Sequence, residues 1–117
     1  MKRPIMFRWL LGRQGTGYET LMLFWSRTLR MDCCLIRYPV GASIPPHRDA
    51  VGPGEKHYRL NVTLRSALVG GQLICSESIL RVGPINFFRP DLAEHQVTTV
   101  EDRTRYVFSI GWVRHSS

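Results

Sequence analysis

His47, Arg48 and Asp49 place an imidazole and a carboxylate two residues apart, and on extended backbone that spacing points both side chains to the same side. A second histidine, His95, opens an alternating run much later in the chain. Two imidazoles and one carboxylate on one face of an ion leave its other positions open, which is the donor set of non-haem Fe(II) sites that work on O2. Ten residues past His95 stands Arg105, a fixed cation whose planar fork matches a carboxylate. The four residues together are equipped to hold a metal beside a small organic acid.

Such side chains meet only if the chain folds back repeatedly. Residues 32–40 have strand character, with Cys34, Ile36 and Tyr38 on one face, and end at Pro39 and a Gly41 turn. Pro45 and Pro46 then hold the backbone extended into His47. Residues 57–65 alternate: Tyr58, Leu60, Val62 and Leu64 face one way, and His57, Arg59, Asn61, Thr63 and Arg65 the other. Short strands are expected at 72–75, 79–82 and 85–88, punctuated by Gly70-Gly71 and Gly83-Pro84, and the last two at 94–100 and 104–113 around a Glu101-Asp102-Arg103 turn. Strands at roughly 8–12-residue spacing indicate an all-β sandwich or barrel.

In the last strand Tyr106, Phe108, Ile110 and Trp112 form one face and Arg105, Val107, Ser109 and Gly111 the other. Burying one large aromatic contributes on the order of 2 kcal/mol, so the apolar face calls for a cover. The segment 18–29 supplies a candidate, because Leu21, Phe24, Trp25 and Leu29 recur at three- and four-residue steps, the pattern of an amphipathic helix. Arg105 is then directed inward, where a guanidinium costs several kcal/mol unless an anion meets it.

The chain has 117 residues, the size of one domain that buries roughly 65% of its unfolded surface and folds without a structural metal. Residues 1–30 are read as a loop and helix packing on the sheet, and 31–114 as the β core. Sixteen Lys+Arg against nine Asp+Glu give a net charge of +7, which favours anionic partners such as nucleic acid or a dicarboxylate. The basic residues are dispersed from Lys2 to Arg114 rather than clustered in an arm. Cys33, Cys34 and Cys75 are an odd set without a CxxC pair and read as reduced packing thiols of a cytoplasmic protein. Arg8 and Arg13 interrupt the apolar N-terminal residues before a signal core or membrane span could form. Exposed strand edges in so small a barrel allow a homodimer as well as a monomer.

Two local motifs are set aside. The glycines of Gly12-Arg13-Gln14-Gly15-Thr16-Gly17 lack the Gly-Lys-Ser/Thr of a phosphate loop and the βαβ setting of a dinucleotide loop, so they form a turn. The tripeptide His47-Arg48-Asp49 also occurs in protein kinases, but Gly54 stands where the kinase loop carries asparagine.

Arg37-Tyr38-Pro39, His47-Arg48-Asp49, Phe87 ahead of His95-Gln96-Val97, and Arg105-Tyr106 ahead of Trp112, in that order and spacing, resemble the 2-oxoglutarate/Fe(II) dioxygenases of the prolyl-hydroxylase-like branch. The resemblance covers Asp32 to Trp112. It implies a double-stranded β-helix of jelly-roll, cupin-like type, here with the flanking N-terminal helix. It also implies that His47, Asp49 and His95 hold Fe(II), that Arg105 pairs with the C5 carboxylate of 2-oxoglutarate and that the Tyr38 hydroxyl reaches the same group. Asn61 and Thr63 would add polar contacts to the cosubstrate. The family reaction consumes O2 and 2-oxoglutarate, with ascorbate as an accessory reductant, hydroxylates a substrate C–H bond and releases succinate and CO2. The serine found two residues after the arginine in some branches is Val107 here, and the chain is short for the extra helices and lids that shape a substrate pocket.

Arg59 and Arg103 are rivals for the carboxylate contact, Arg59 sharing a face with Asn61 and Arg103 lying in a turn. His57 and His115 fall outside the constellation and are read as surface histidines. Two other functional classes fit the same sequence: a non-catalytic jelly-roll module whose basic surface binds an acidic partner, and a cupin-type metalloenzyme that does not use 2-oxoglutarate.

Overall fold

Residues 5–115, the part of the chain described by a computed structural model, form ten strands and no helix. These are β1 (Trp9–Leu11), β2 (Glu19–Ser26), β3 (Met31–Tyr38), β4 (Ile44–His47), β5 (Glu55–Arg65), β6 (Leu73–Cys75), β7 (Leu80–Val82), β8 (Ile85–Phe88), β9 (His95–Val97) and β10 (Arg105–His115). Seven of them make one sheet in the order β1-β2-β3-β10-β5-β8-β7, and three make a second in the order β4-β9-β6. Every strand pairing is antiparallel. The long strands β5 and β10 lie side by side at the middle of the larger sheet, so the face they share decides what the interior contains.

That face follows from alternation. Arg105, Val107, Ser109 and Gly111 point inward from β10, opposite Tyr38, Ile36, Cys34 and Asp32 of β3. The two sheets close on a core of Tyr18, Tyr38, Ala42, Val97, Val100 and Val107, with Ile36, Ile44, Ala67 and Leu73 packed against it. Loop hydrogen bonds tie the ends together: Gly41 N–H donates to Val100 O at 2.8 Å, and Val100 N–H to Ala42 O at 3.0 Å. The Gly70-Gly71 turn runs at positive φ, and a Cβ at Gly70 would strike the Thr99 carbonyl, so only glycine fits there.

The helix expected at 18–29 is instead β2. Its register against β3 runs Leu21↔Leu35, Met22↔Cys34, Phe24↔Cys33, leaving Leu23 as an extra residue. That bulge stretches a period-two pattern by one step, so Leu21 and Phe24 share a face at three-residue spacing and imitate a helical repeat. Glu19 is fixed by its ladder partner Arg37 of β3, whose Nε donates to Oε1 at 2.7 Å.

The apolar face of β10 is therefore left without a covering helix among the described residues. Tyr106, Phe108, Ile110 and Trp112 are half-buried. Tyr58, Phe87 and Trp112 cover one another across β5, β8 and β10, with ring centroids 5.7–6.0 Å apart. No helix of the described residues is long and apolar enough to cross a membrane. The three cysteines are free thiols, and burial pushes that of Cys34 up to about 11, as suits a packing residue.

Candidate metal and anion site

His47 ends β4 and His95 opens β9, and the two are paired directly across the smaller sheet. Ile44 pairs with Val97 in the same ladder, so β4 spends three residues where β9 spends two. The extra residue falls at Pro45-Pro46, which lack the N–H that a regular ladder would use. This bulge keeps Ile44 in the core and turns His47 to the same side. Asp49 follows, its backbone N–H donating to Pro90 O at 2.8 Å.

His47, Asp49 and His95 each offer a ligand atom, and these atoms lie within 4.8 Å of one another. His47 Nε2 is 3.4 Å from Asp49 Oδ1, and His95 Nε2 is 3.7 Å from Oδ2. Each ring is aimed from behind: His47 Nδ1 lies 2.9 Å from Pro45 O, and His95 Nδ1 2.9 Å from Ala93 O. A carbonyl only accepts, so Nδ1 carries the proton and Nε2 keeps its lone pair for a metal. The edge of Phe88 packs on His95 at 5.1 Å. Burial lowers the basicity of His95, against the pull of its bond to Ala93, and so favours the neutral, ligating form. Two nitrogens and a carboxylate at this separation fit Fe(II) or a similar divalent ion.

Arg105 is 5% exposed. Its Nη2 is 3.4 Å from Thr63 Oγ1, its guanidinium lies over the Tyr38 ring at 4.9 Å, and Nη1 has no hydrogen-bond partner. Among the described residues no carboxylate pairs with it, and burial lowers its proton affinity. Arg59, the rival, is already engaged: Nη2 meets Asp32 Oδ1 at 2.7 Å, and Nη1 donates to Ser109 Oγ at 2.7 Å. Ser109 in turn donates to Asn61 Oδ1 at 2.6 Å. A Cβ at Gly111 would run into the Arg59 guanidinium, so this glycine makes room for the pair. Arg103 is occupied by Ser66 O at 2.9 Å.

Arg105, Thr63 and Asn61 line a cavity of about 570 Å³ that opens to solvent, together with Arg81, Asn86, Gly71 and others, none of them acidic. Tyr38 is fully buried beneath Arg105 and stacks on Tyr18 at 5.8 Å. Burial pushes its hydroxyl up to about 12, which keeps it a proton donor. His115 is exposed, as the sequence suggested, whereas His57 is half-buried, its basicity lowered by burial and by Arg59. Sequence reasoning missed Asp32 as the partner of Arg59, and Asn86. The one available signal for Asn86 was a lone amide in the otherwise apolar Ile85-Asn86-Phe87-Phe88 run.

No protein-family model and no curated protein matches the sequence. Solved structures do match its fold. A Pseudomonas putida prolyl-4-hydroxylase superposes with a TM-score of 0.68 at 17% identity, over 93% of this chain and 78% of that one. A cupin-2 domain from Rhodospirillum rubrum superposes at 0.62 and 13% identity, over 99% and 80%. The fold is a cupin-type jelly roll. A viral collagen prolyl hydroxylase from Paramecium bursaria Chlorella virus-1, in its 2OG complex, shares this jelly roll at a TM-score of 0.60 and 14% identity, over 86% of this chain and 81% of that one.

Proposed function

We propose that this chain is a 2-oxoglutarate- and Fe(II)-dependent oxygenase that hydroxylates a substrate C–H bond with O2 and releases succinate and CO2. The observation that carries the reading is a buried arginine without an acidic partner, inside the same jelly roll as a His-Asp-His group able to hold a metal. A desolvated guanidinium is costly until an anion reaches it, and the two sites together ask for a ligand with a carboxylate at one end and metal-binding oxygens at the other.

In this reading His47, Asp49 and His95 hold Fe(II), which supplies open positions for the keto acid and O2. Arg105 receives the far carboxylate, with Thr63 beside it. Tyr38 supports the guanidinium from below and offers its hydroxyl as a donor. The Asp32–Arg59–Ser109–Asn61 chain holds Arg59 and leaves it unable to compete for the cosubstrate. Phe88 walls the metal side against water.

The test is succinate release from 2-oxoglutarate by Fe(II)-loaded protein with ascorbate present, followed by a screen of peptides and oligonucleotides for stimulation. Succinate formed by wild type and lost in Asp49→Ala supports the proposal. Metal binding without succinate formation, and insensitive to Arg105→Ala, would assign a metalloenzyme that does not use 2-oxoglutarate.

A further inference from the structure

Asn86 stands on β8 directly opposite Asn61 of β5. It is 6% exposed, and neither its Oδ1 nor its Nδ2 has a hydrogen-bond partner. It lines the same cavity as Arg105, whose Nη1 is the other buried side-chain atom without a partner among the described residues. Buried polar atoms are nearly always satisfied, and an unsatisfied one calls for a specific explanation. None of the residues beside it on this face, Asn61 and Arg81 across the ladders and Phe88 two residues on, satisfies it, and an aliphatic residue would fill the position at lower cost.

The composition of the lining narrows the explanation. Two arginines and two asparagine amides face this space with no carboxylate among the lining residues, so it presents N–H donors to an oxygen-rich anion. Asn61 has its carbonyl oxygen committed to Ser109. Asn86 has nothing committed. A carboxamide also carries an acceptor, which a carboxylate cannot satisfy but an ordered water can.

We propose that Asn86 is a ligand-binding residue of this cavity, its Nδ2 donating to an oxygen of the carboxylate-bearing ligand that Arg105 receives and its Oδ1 accepting from an ordered water beside that ligand. The proposal rests on the oxygenase reading, with 2-oxoglutarate as the ligand. It adds a contact from β8, a strand to which that reading gave no ligand-contacting role.

The experiment compares full-length wild type, Asn86→Asp and Asn86→Leu by thermal melting and calorimetry, first with Mn(II) alone and then with added 2-oxoglutarate. Both variants should bind Mn(II) as wild type does, and both should bind 2-oxoglutarate about tenfold or more weakly, the loss of one hydrogen bond to a charged group. The metal-free Asn86→Leu protein should melt higher than wild type, because it no longer buries two unsatisfied atoms. Undiminished 2-oxoglutarate affinity in both variants overturns the proposal and leaves the oxygenase reading standing. A lower melting temperature for metal-free Asn86→Leu also overturns it, since that marks a packing role. Absence of any 2-oxoglutarate effect on Mn(II)-loaded wild type instead removes the oxygenase reading, and this inference with it.

Discussion

His47 and His95 face each other in one ladder of the smaller sheet, with ring centroids 4.2 Å apart and each ring held by a carbonyl two residues back in its own segment. The aim of both imidazoles is thus fixed before a metal arrives. Little order has to be gained on binding, and the free Nε2 atoms already converge on Asp49.

His47→Ala and Asp49→Ala should each weaken Mn(II) or Fe(II) binding by at least about 100-fold, since removing even an outer-shell partner of a metal ligand costs 10–100-fold. Calorimetric titration of the metal checks this. Retention of full affinity in either variant would show that the ion sits elsewhere.

Arg105→Met should leave metal affinity intact while weakening 2-oxoglutarate by about 30-fold or more, the cost of truncating one partner of a buried charge contact. The metal-free variant should also gain on the order of 1 kcal/mol in urea denaturation, because it no longer buries a cation without a partner. The opposite pattern, lost metal with retained 2-oxoglutarate, would contradict the roles assigned here.

Gly111→Ala should destabilise the fold by about 1–3 kcal/mol, the usual range for overpacking, because the added methyl meets the Arg59 guanidinium. Arg59→Met should absorb most of that loss in the double variant, so the two substitutions should be strongly non-additive. Simple additivity in a denaturation cycle would show that the collision is relieved elsewhere.

Two windows of pH dependence follow from burial. The folded-state pKa values of Tyr38 and Cys34 are raised, to about 12 and about 11, so the stability they confer is present below their ordinary values and is lost as pH rises from about 9 to 12. His57 and His95 are depressed by burial, so their contribution is present above the ordinary histidine value of about 6.5 and falls as pH drops below it. Denaturation midpoints of metal-free protein across pH check both windows. Tyr38→Phe should flatten the alkaline limb, and an unchanged limb would mean that Tyr38 ionises without unfolding.

How much of this was readable in the sequence depended on whether the signal was local. The inward direction of Arg105 came from alternation along a single strand, and the His-Asp-His group from residue type and spacing; the structure brings all of these side chains into the jelly roll. Asn61 and Tyr38 likewise lie on the interior face, Asn61 within a hydrogen-bonded chain and Tyr38 beneath Arg105. The segment 18–29 misled because its bulge at Leu23 changes the period that separates strand from helix. The engagement of Arg59 was beyond reach, because its partner Asp32 sits on β3, separated from β5 by β10, an order that no short pattern encodes. The expected cover over Tyr106, Phe108, Ile110 and Trp112 failed with the helix that was to provide it.

The two prolines before His47 carry a consequence for editing the gene. Side chains alternate along a strand, so deleting one proline codon would only remove the bulge, whereas deleting both would set the first imidazole next to Ile44 and so on the solvent side, with every ligand residue still encoded. Such a product should fold, melt near wild type and ignore iron. Counting ligand residues would miss the lesion, because what was lost is parity.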